Sequence, residues 1–144
     1  MRRRRLVIAA LALLAAVPAV AHAGEITGTP RADRLVGGPG DDRIRGRGGP
    51  DRLFGRAGDD ALFGDAGADR LYGGPGNDTL LGGAGGDRIN AGRGADLVVA
   101  GRGNDIVHAR DGQRDRITCG PGHDRVFADR RDRVARDCEV VRRR

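Results

Sequence analysis

The nine residues GGPGNDTLL at positions 73–81 are one copy of the repeat that decides the fold of this chain. Nine consecutive blocks of this length run in register from Gly28, and two looser copies follow around Asp115 and Asp124. Position six is aspartate in all eleven copies, and position eight is always Leu, Ile or Val. Position four is glycine in every regular block except the first, which has Arg31. Each block therefore combines a glycine-rich turn, one carboxylate and one aliphatic side chain.

The repeat predicts a β-solenoid. Glycine and proline at positions one to four favour a turn, and positions seven to nine can form a minimal strand that points residue eight to one side. Two repeats then form one coil, the strands stack into two parallel sheets, and eleven repeats give about five and a half coils. The predicted inward residues are Leu35, Ile44, Leu53, Leu62, Leu71, Leu80, Ile89, Val98, Val107, Ile117 and Val126.

One inward aliphatic residue in nine makes a thin core, so something else must stabilise the turns. Aspartates two repeats apart lie on the same edge of the predicted solenoid, about 4.8 Å from one another, where like charges repel. A cation between successive turns removes that repulsion. Carboxylates and carbonyls without His or Cys suit Ca²⁺, whereas Mg²⁺ demands tighter octahedral geometry and keeps its waters.

The blocks resemble the RTX (repeats-in-toxin, hemolysin-type) nonapeptide GGxGxDxUx, where U is a large aliphatic residue. The blocks GGPGDDRIR, GGPGNDTLL and GGAGGDRIN carry all of its fixed features, and the resemblance extends over about residues 28–127. It implies a right-handed parallel β-roll that binds several calcium ions. It also implies that position-six carboxylates and loop carbonyls are the ligands, with each ion shared by turns two repeats apart, such as those of Asp60 and Asp78.

Carried over to this chain, the resemblance predicts two sets of ligands. The first set is the position-six carboxylates: Asp42, Asp51, Asp60, Asp69, Asp78, Asp87, Asp96, Asp105 and Asp124, with Asp33 and Asp115 as weaker members. Asp33 is weaker because its block lacks the later glycines, and Asp115 because the spacing before it slips to ten residues. The second set is the loop backbone carbonyls near Gly37, Gly46, Gly55, Gly64, Gly73 and Gly82.

The N-terminus predicts export. Residues 1–23 have an Arg-rich start, an apolar stretch too short to span a membrane and an Ala-His-Ala end, as in a cleaved secretory signal peptide. The repeat region then occupies residues 24–127, and the mature chain has no transmembrane segment. Cleavage removes four of the 26 Arg and none of the 20 acidic residues, so the formal charge falls from +6 to 22 minus 20, or +2. This value, with Arg and Asp interleaved, argues against nucleic acid as a partner.

The C-terminal segment, residues 128–144, departs from the repeat and is predicted to cap the last coil. The chain contains two cysteines, Cys119 and Cys138. An even number in an exported protein favours a disulfide, which would fasten the cap. Two free thiols are the alternative.

Together these features predict an exported calcium-binding protein that folds on calcium and serves as a structural or surface interaction module. An enzyme with a small-molecule substrate is disfavoured, since the chain has no Ser and its repeats leave no room for a catalytic domain. The alternative is an Arg/Gly-rich module that binds a polyanion, either nucleic acid or polysaccharide. The Arg residues that follow position six have two readings, either a solvated outer face or partners of the aspartates in the metal-free state.

Overall fold

The computed structural model describes residues 24–143, so the predicted signal peptide, residues 1–23, lies outside the described part of the chain. Within residues 24–143 the chain forms fourteen strands. Their bounds are β1 Glu25–Thr27, β2 Arg34–Val36, β3 Arg43–Arg45, β4 Arg52–Phe54, β5 Ala61–Ala66, β6 Arg70–Pro75, β7 Thr79–Ala84, β8 Arg88–Arg93, β9 Leu97–Arg102, β10 Ile106–Ala109, β11 Arg116–Thr118, β12 Arg125–Ala128, β13 Arg133–Val134 and β14 Val140–Arg143. None of the described residues belongs to a helix able to cross a membrane.

The odd-numbered strands form one seven-stranded sheet and the even-numbered strands form the other. Every pair is parallel and joins residues two repeats apart, as in Leu62↔Leu80 of the odd sheet and Leu71↔Ile89 of the even sheet. Two repeats therefore make one coil. The predicted all-β parallel solenoid with two sheets is confirmed, and its form is that of a β-roll.

The solenoid is longer than predicted, with about seven coils in place of five and a half. The additional strands lie at its two ends, where β1 precedes the first repeat and β13 and β14 follow the last. The central strands, β5 to β9, are also longer than the predicted three residues and reach six. They are longer because backbone pairing continues into the glycine-rich positions, as in Gly83↔Gly101.

The predicted inward aliphatic residues form the core. All of them are buried except Leu35, which is half-buried because it lies in the first coil of the even sheet. The core also contains small residues at position one of the later repeats, which the periodicity of the aliphatic residues did not predict: Ala91, Ala100, Ala109, Cys119 and Ala128.

Glycine at position four is required by the approach of successive coils. Gly76 has a φ of 142°, which side chains rarely adopt. A Cβ at this position would also collide with the carbonyl oxygen of Gly58, which lies one coil earlier. The same contact recurs between Gly94 and Gly76. The close spacing of successive coils therefore depends on a position without a side chain.

The C-terminal segment, predicted as a cap, continues the solenoid by one strand in each sheet. β13 pairs with β11, and β14 pairs with β12, so residues 128–143 add one strand to each sheet. A disulfide joins Cys119 to Cys138, as predicted, and links the end of β11 to the turn before β14. The last coil is thus attached by parallel pairing and by a covalent bond.

Candidate metal centre

The position-six aspartates are buried although they are ionisable. Asp69, Asp78 and Asp87 are each only 1% exposed. They end the turns that lead into β6, β7 and β8, and the following Arg or Thr side chain points outward. Buried carboxylates require hydrogen bonds or a cation. The contacts of their two oxygens therefore determine what this site can bind.

One carboxylate oxygen of each buried aspartate connects successive coils. The backbone N–H of Asp60 donates to Oδ1 of Asp78 at 2.8 Å, and the N–H of Asp78 donates to Oδ1 of Asp96 at 2.8 Å. The other edge has the same ladder, as in the bond from the N–H of Asp69 to Oδ1 of Asp87 at 2.8 Å. The aspartates therefore form two continuous rows, one on each edge of the solenoid.

The second carboxylate oxygen has no hydrogen-bond partner within residues 24–143. This holds for Oδ2 of nine buried residues: Asp51, Asp60, Asp69, Asp78, Asp87, Asp96, Asp105, Asp115 and Asp124. An unpartnered buried acceptor costs on the order of 1–3 kcal/mol, and more when it is charged. Nine buried acceptors in two rows are therefore left without a donor among the described residues.

A backbone carbonyl lies beside each of these oxygens in the central repeats. At Gly73, an added Cβ would collide both with Oδ2 of Asp78 and with the carbonyl oxygen of Ala91. The carboxylate belongs to the same repeat as Gly73, and the carbonyl comes from two repeats later. We call this arrangement of a position-one glycine, a carboxylate and a carbonyl the cradle; it recurs at Gly37, Gly46, Gly55, Gly64 and Gly82.

The cradle brings together the predicted ligand types from turns two repeats apart. Carboxylate and carbonyl oxygens are the hard ligands that calcium prefers, and calcium tolerates irregular coordination. The residues present therefore fit calcium. From Ala91 onward, position one carries a buried side chain in place of glycine: Ala91, Ala100, Ala109, Cys119 and Ala128.

The structure distinguishes the first two aspartates from the rest. Oδ2 of Asp33 accepts hydrogen bonds from the N–H and hydroxyl of Thr29, at 2.6 and 2.9 Å. Oδ2 of Asp42 accepts the N–H of Gly38 at 2.6 Å. Both oxygens of Asp42 are thus satisfied, since its Oδ1 accepts the N–H of Gly24.

The structure places Asp115 in its row despite the spacing slip. It is fully buried, and its Oδ1 accepts the N–H of Asp96 at 2.9 Å. The additional residue is accommodated by the exposed loop at residues 110–114. The predicted weaker position of Asp115 thus has the same hydrogen bonding as the central aspartates.

Sequence reasoning missed Asp132, which extends one row by a further coil. Asp132 is 4% exposed, and its Oδ1 accepts the N–H of Asp115 at 3.0 Å. No glycine turn precedes it, so the repeat pattern did not include it. The triplet Asp132-Arg133-Val134 repeats the Asp-Arg-aliphatic order of the earlier blocks and is the signal that could have found it.

Burial raises the pKa of Asp78 and of Asp87 to about 7. The hydrogen bond from a backbone N–H opposes this shift, and neighbouring carboxylates of the same row add to it. Burial likewise raises the pKa of Asp115 to about 7 and those of Asp69 and Asp96 to about 6. A bound cation would favour the ionised form and reverse this effect.

The fold and the two rows of carboxylates define a β-roll in which carboxylate and carbonyl oxygens from successive coils lie close together. A family model, the RTX calcium-binding nonapeptide repeat (4 copies), matches residues 27–62, 46–80 and 81–114. Because these matches cover more than half of the chain, the protein belongs to the RTX calcium-binding nonapeptide-repeat family and is a calcium-binding repeat protein. Comparison with curated proteins and with solved structures gave no match.

The raised pKa values predict that acid stabilises the calcium-free fold. A carboxyl group with a raised folded-state pKa binds protons more tightly when folded. Its contribution is therefore complete below the unfolded value of 3.8 and is lost as the pH rises through about 6 to 7. In calcium-depleted buffer we expect more β-structure at pH 4 than at pH 7.5, measured by far-UV circular dichroism. Equal or lower β-structure at pH 4 would contradict this expectation.

The cradle predicts that Gly73→Ala weakens calcium binding. Gly73 does not have a positive φ, so the added methyl group acts by filling the space between Asp78 and Ala91. We expect the calcium midpoint to rise about tenfold, which corresponds to about 1.4 kcal/mol, when binding is followed by calorimetry. Gly38→Ala is the matched control, because its Cβ would lie 3.8 Å from the nearest atom, Oδ2 of Asp42. Equal midpoints for the two variants would show that the cradle is not part of the site.

Proposed function

We propose that calcium completes the fold of this protein by binding along both rows of aspartates. The observation that carries the proposal is the set of nine buried carboxylate oxygens without a partner. These oxygens repel one another within each row, and a divalent cation supplies both the missing partner and the missing charge. Because an unfolded chain has no such rows, the free energy of calcium binding becomes free energy of folding.

The proposed ligands are the nine unpartnered carboxylates together with the position-one carbonyls. Several ions follow from the repetition of the site. Among the repeats with glycine at position one, those that contain Asp51, Asp60, Asp69, Asp78 and Asp87 combine the cradle with an unpartnered Oδ2. Asp33 and Asp42 are weaker candidates, because their Oδ2 atoms already accept hydrogen bonds.

We further propose that the protein is exported and acts without catalysis as a structural or surface module. The signal-like residues 1–23 support export, and the Cys119–Cys138 disulfide fits an oxidising compartment. The described histidines are engaged elsewhere, since His108 stacks on Phe127 and His123 lies 2.6 Å from Glu139. The chain has no serine to act as a nucleophile.

Calcium-dependent folding is tested by far-UV circular dichroism of residues 24–144 with chelator and then with millimolar calcium. We expect a coil spectrum to become a β spectrum at neutral pH. Asp78→Asn, which removes a charged ligand, should raise the calcium midpoint about tenfold. Asp59→Asn is the control, because Asp59 is exposed and accepts the N–H of Asn77, a role that an amide oxygen can keep. An unchanged spectrum on adding calcium would refute folding on calcium.

Export is tested by expressing the full chain in a bacterium with a general secretory pathway. We expect a product in the periplasm or medium whose intact mass corresponds to a chain that begins at Gly24. A variant with Ala21 and Ala23 changed to Arg disrupts the cleavage site and should retain the N-terminal residues. Cytoplasmic protein of full-length mass would argue against export.

A further inference from the structure

The charge of this protein is divided between its inside and its outside. Of the 20 acidic residues, 11 are buried aspartates, which leaves nine near the surface. Residues 24–143 contain 21 arginines, and all of these are exposed except Arg70, which is half-buried. Arg and Asp interleave in the sequence but separate in space, because position six points inward and position seven points outward. The net charge of +2 therefore understates how basic the surface is.

The outer face of the even-numbered sheet has a row of arginines. Parallel pairing aligns position seven of successive strands, which places Arg34, Arg52, Arg70 and Arg88 side by side. Ile106 interrupts the row and Arg125 continues it. Strands β2 to β12 of this sheet contain no carboxylate, and none of these arginines forms a salt bridge among the described residues. The arginines are therefore not the partners of the position-six aspartates.

A row of rings lies beside the arginines at position nine. Phe54 stacks on Tyr72 with ring centroids 4.9 Å apart, and His108 stacks on Phe127 with centroids 4.6 Å apart. Both pairs are within 4° of parallel. Asn90 occupies the position between the two pairs, paired with Tyr72 on one side and His108 on the other. The row of rings thus lacks one member.

The missing ring leaves a cleft of ≈ 340 Å³ lined by Tyr72, Arg88, Ile89, Asn90, Ile106 and His108. We call this cleft the slot. Tyr72 and His108 belong to strands two spacings apart, about 9.6 Å, so one planar ring can enter and stack on both. The amide of Asn90, which is exposed between the two rings, presents a donor and an acceptor, and Arg88 offers a guanidinium suited to phosphate.

We propose that this face binds single-stranded nucleic acid, with one base inserted in the slot between Tyr72 and His108. The phosphates on either side of that base contact the arginine row at Arg70 and Arg88. A planar ring, a hydrogen-bonding edge and a flanking anion are the chemistry of a nucleotide, and stacking with a basic track is how single strands are held without base pairing. A duplex keeps its bases stacked and paired, so it cannot fill the slot.

The opposite sheet has no such continuous row. At position seven it carries Ala61, Thr79 and Leu97 in its central strands, with arginine only toward its two ends, at Arg43, Arg116 and Arg133. Its ring at position nine is Phe63, which lies under Arg43 and Arg45, and Arg45 also pairs with Asp65 at 3.6 Å. This sheet therefore supplies matched controls of the same geometry. The proposal depends on the folded β-roll and not on which residues hold calcium, so all measurements are made with calcium present and with circular dichroism of every variant.

The test is fluorescence anisotropy of a labelled twelve-nucleotide single strand. Asn90→Phe places a ring in the slot and should weaken binding at least tenfold, whereas Val99→Phe adds the same ring to position nine of β9 and should leave binding unchanged. Arg88→Gln should weaken binding and reduce the slope of log affinity against log salt by about 0.7, the value for one phosphate contact on a single strand. Arg116→Gln in the opposite sheet should do neither.

Four results would overturn the proposal. Asn90→Phe could bind the strand as tightly as the unchanged protein, or duplex DNA could bind as tightly as the single strand. A sulfated polysaccharide could compete equally with the single strand and bind Asn90→Phe as tightly as the unchanged protein, which would show that binding depends on charge alone. A free mononucleotide could bind as tightly as the strand, which would exclude the arginine row from binding. Failure of calcium-dependent folding would appear separately, in the circular dichroism of the unchanged protein.

Discussion

The structure depends on a carboxylate whose two oxygens have different surroundings. Oδ1 of Asp78 accepts the N–H of Asp60 and joins one coil to the next, while Oδ2 is buried without a partner. The first contact positions the aspartates in rows, and the rows create the repulsion that a cation relieves. In the proposed function the same side chain therefore both joins the coils and binds calcium, so that the thin aliphatic core does not have to hold the turns alone.

The sequence predicted most of what the nine-residue period controls. Two sheets, the inward series from Ile44 to Val126 and the rows of aspartates all follow from local spacing, and the structure has them. The period could not predict elements that lack its glycines, so Asp132, β13 and β14 were missed. The difference between Oδ1, which accepts a backbone N–H, and Oδ2, which has no partner, arises from contacts between coils. The pattern within one block does not contain these contacts.

The residue at position one changes along the solenoid, and with it the contacts that stabilise each coil. In the central repeats it is glycine, and the space beside Gly73 holds oxygens of Asp78 and Ala91. In the later repeats it is Ala91 and Ala100, whose methyl groups join the apolar core, and then Cys119, which is bonded to Cys138. The C-terminal coils thus add apolar contacts and a covalent bond at position one, while Oδ2 of Asp96, Asp105, Asp115 and Asp124 has no partner among the described residues, as in the central coils.

The alternation of inward and outward side chains along each strand also determines the charge of the surface. An aspartate that points inward withdraws its charge from the surface, and the arginine that follows it is left without a neighbouring acid. Neutralising the inner rows with calcium would further increase the positive potential outside, because the carboxylates would no longer offset the arginines through the thin sheet. Calcium binding and a basic outer face are therefore coupled by the geometry of the repeat, and any anionic partner of the even-numbered sheet would meet its full charge only when the β-roll is folded.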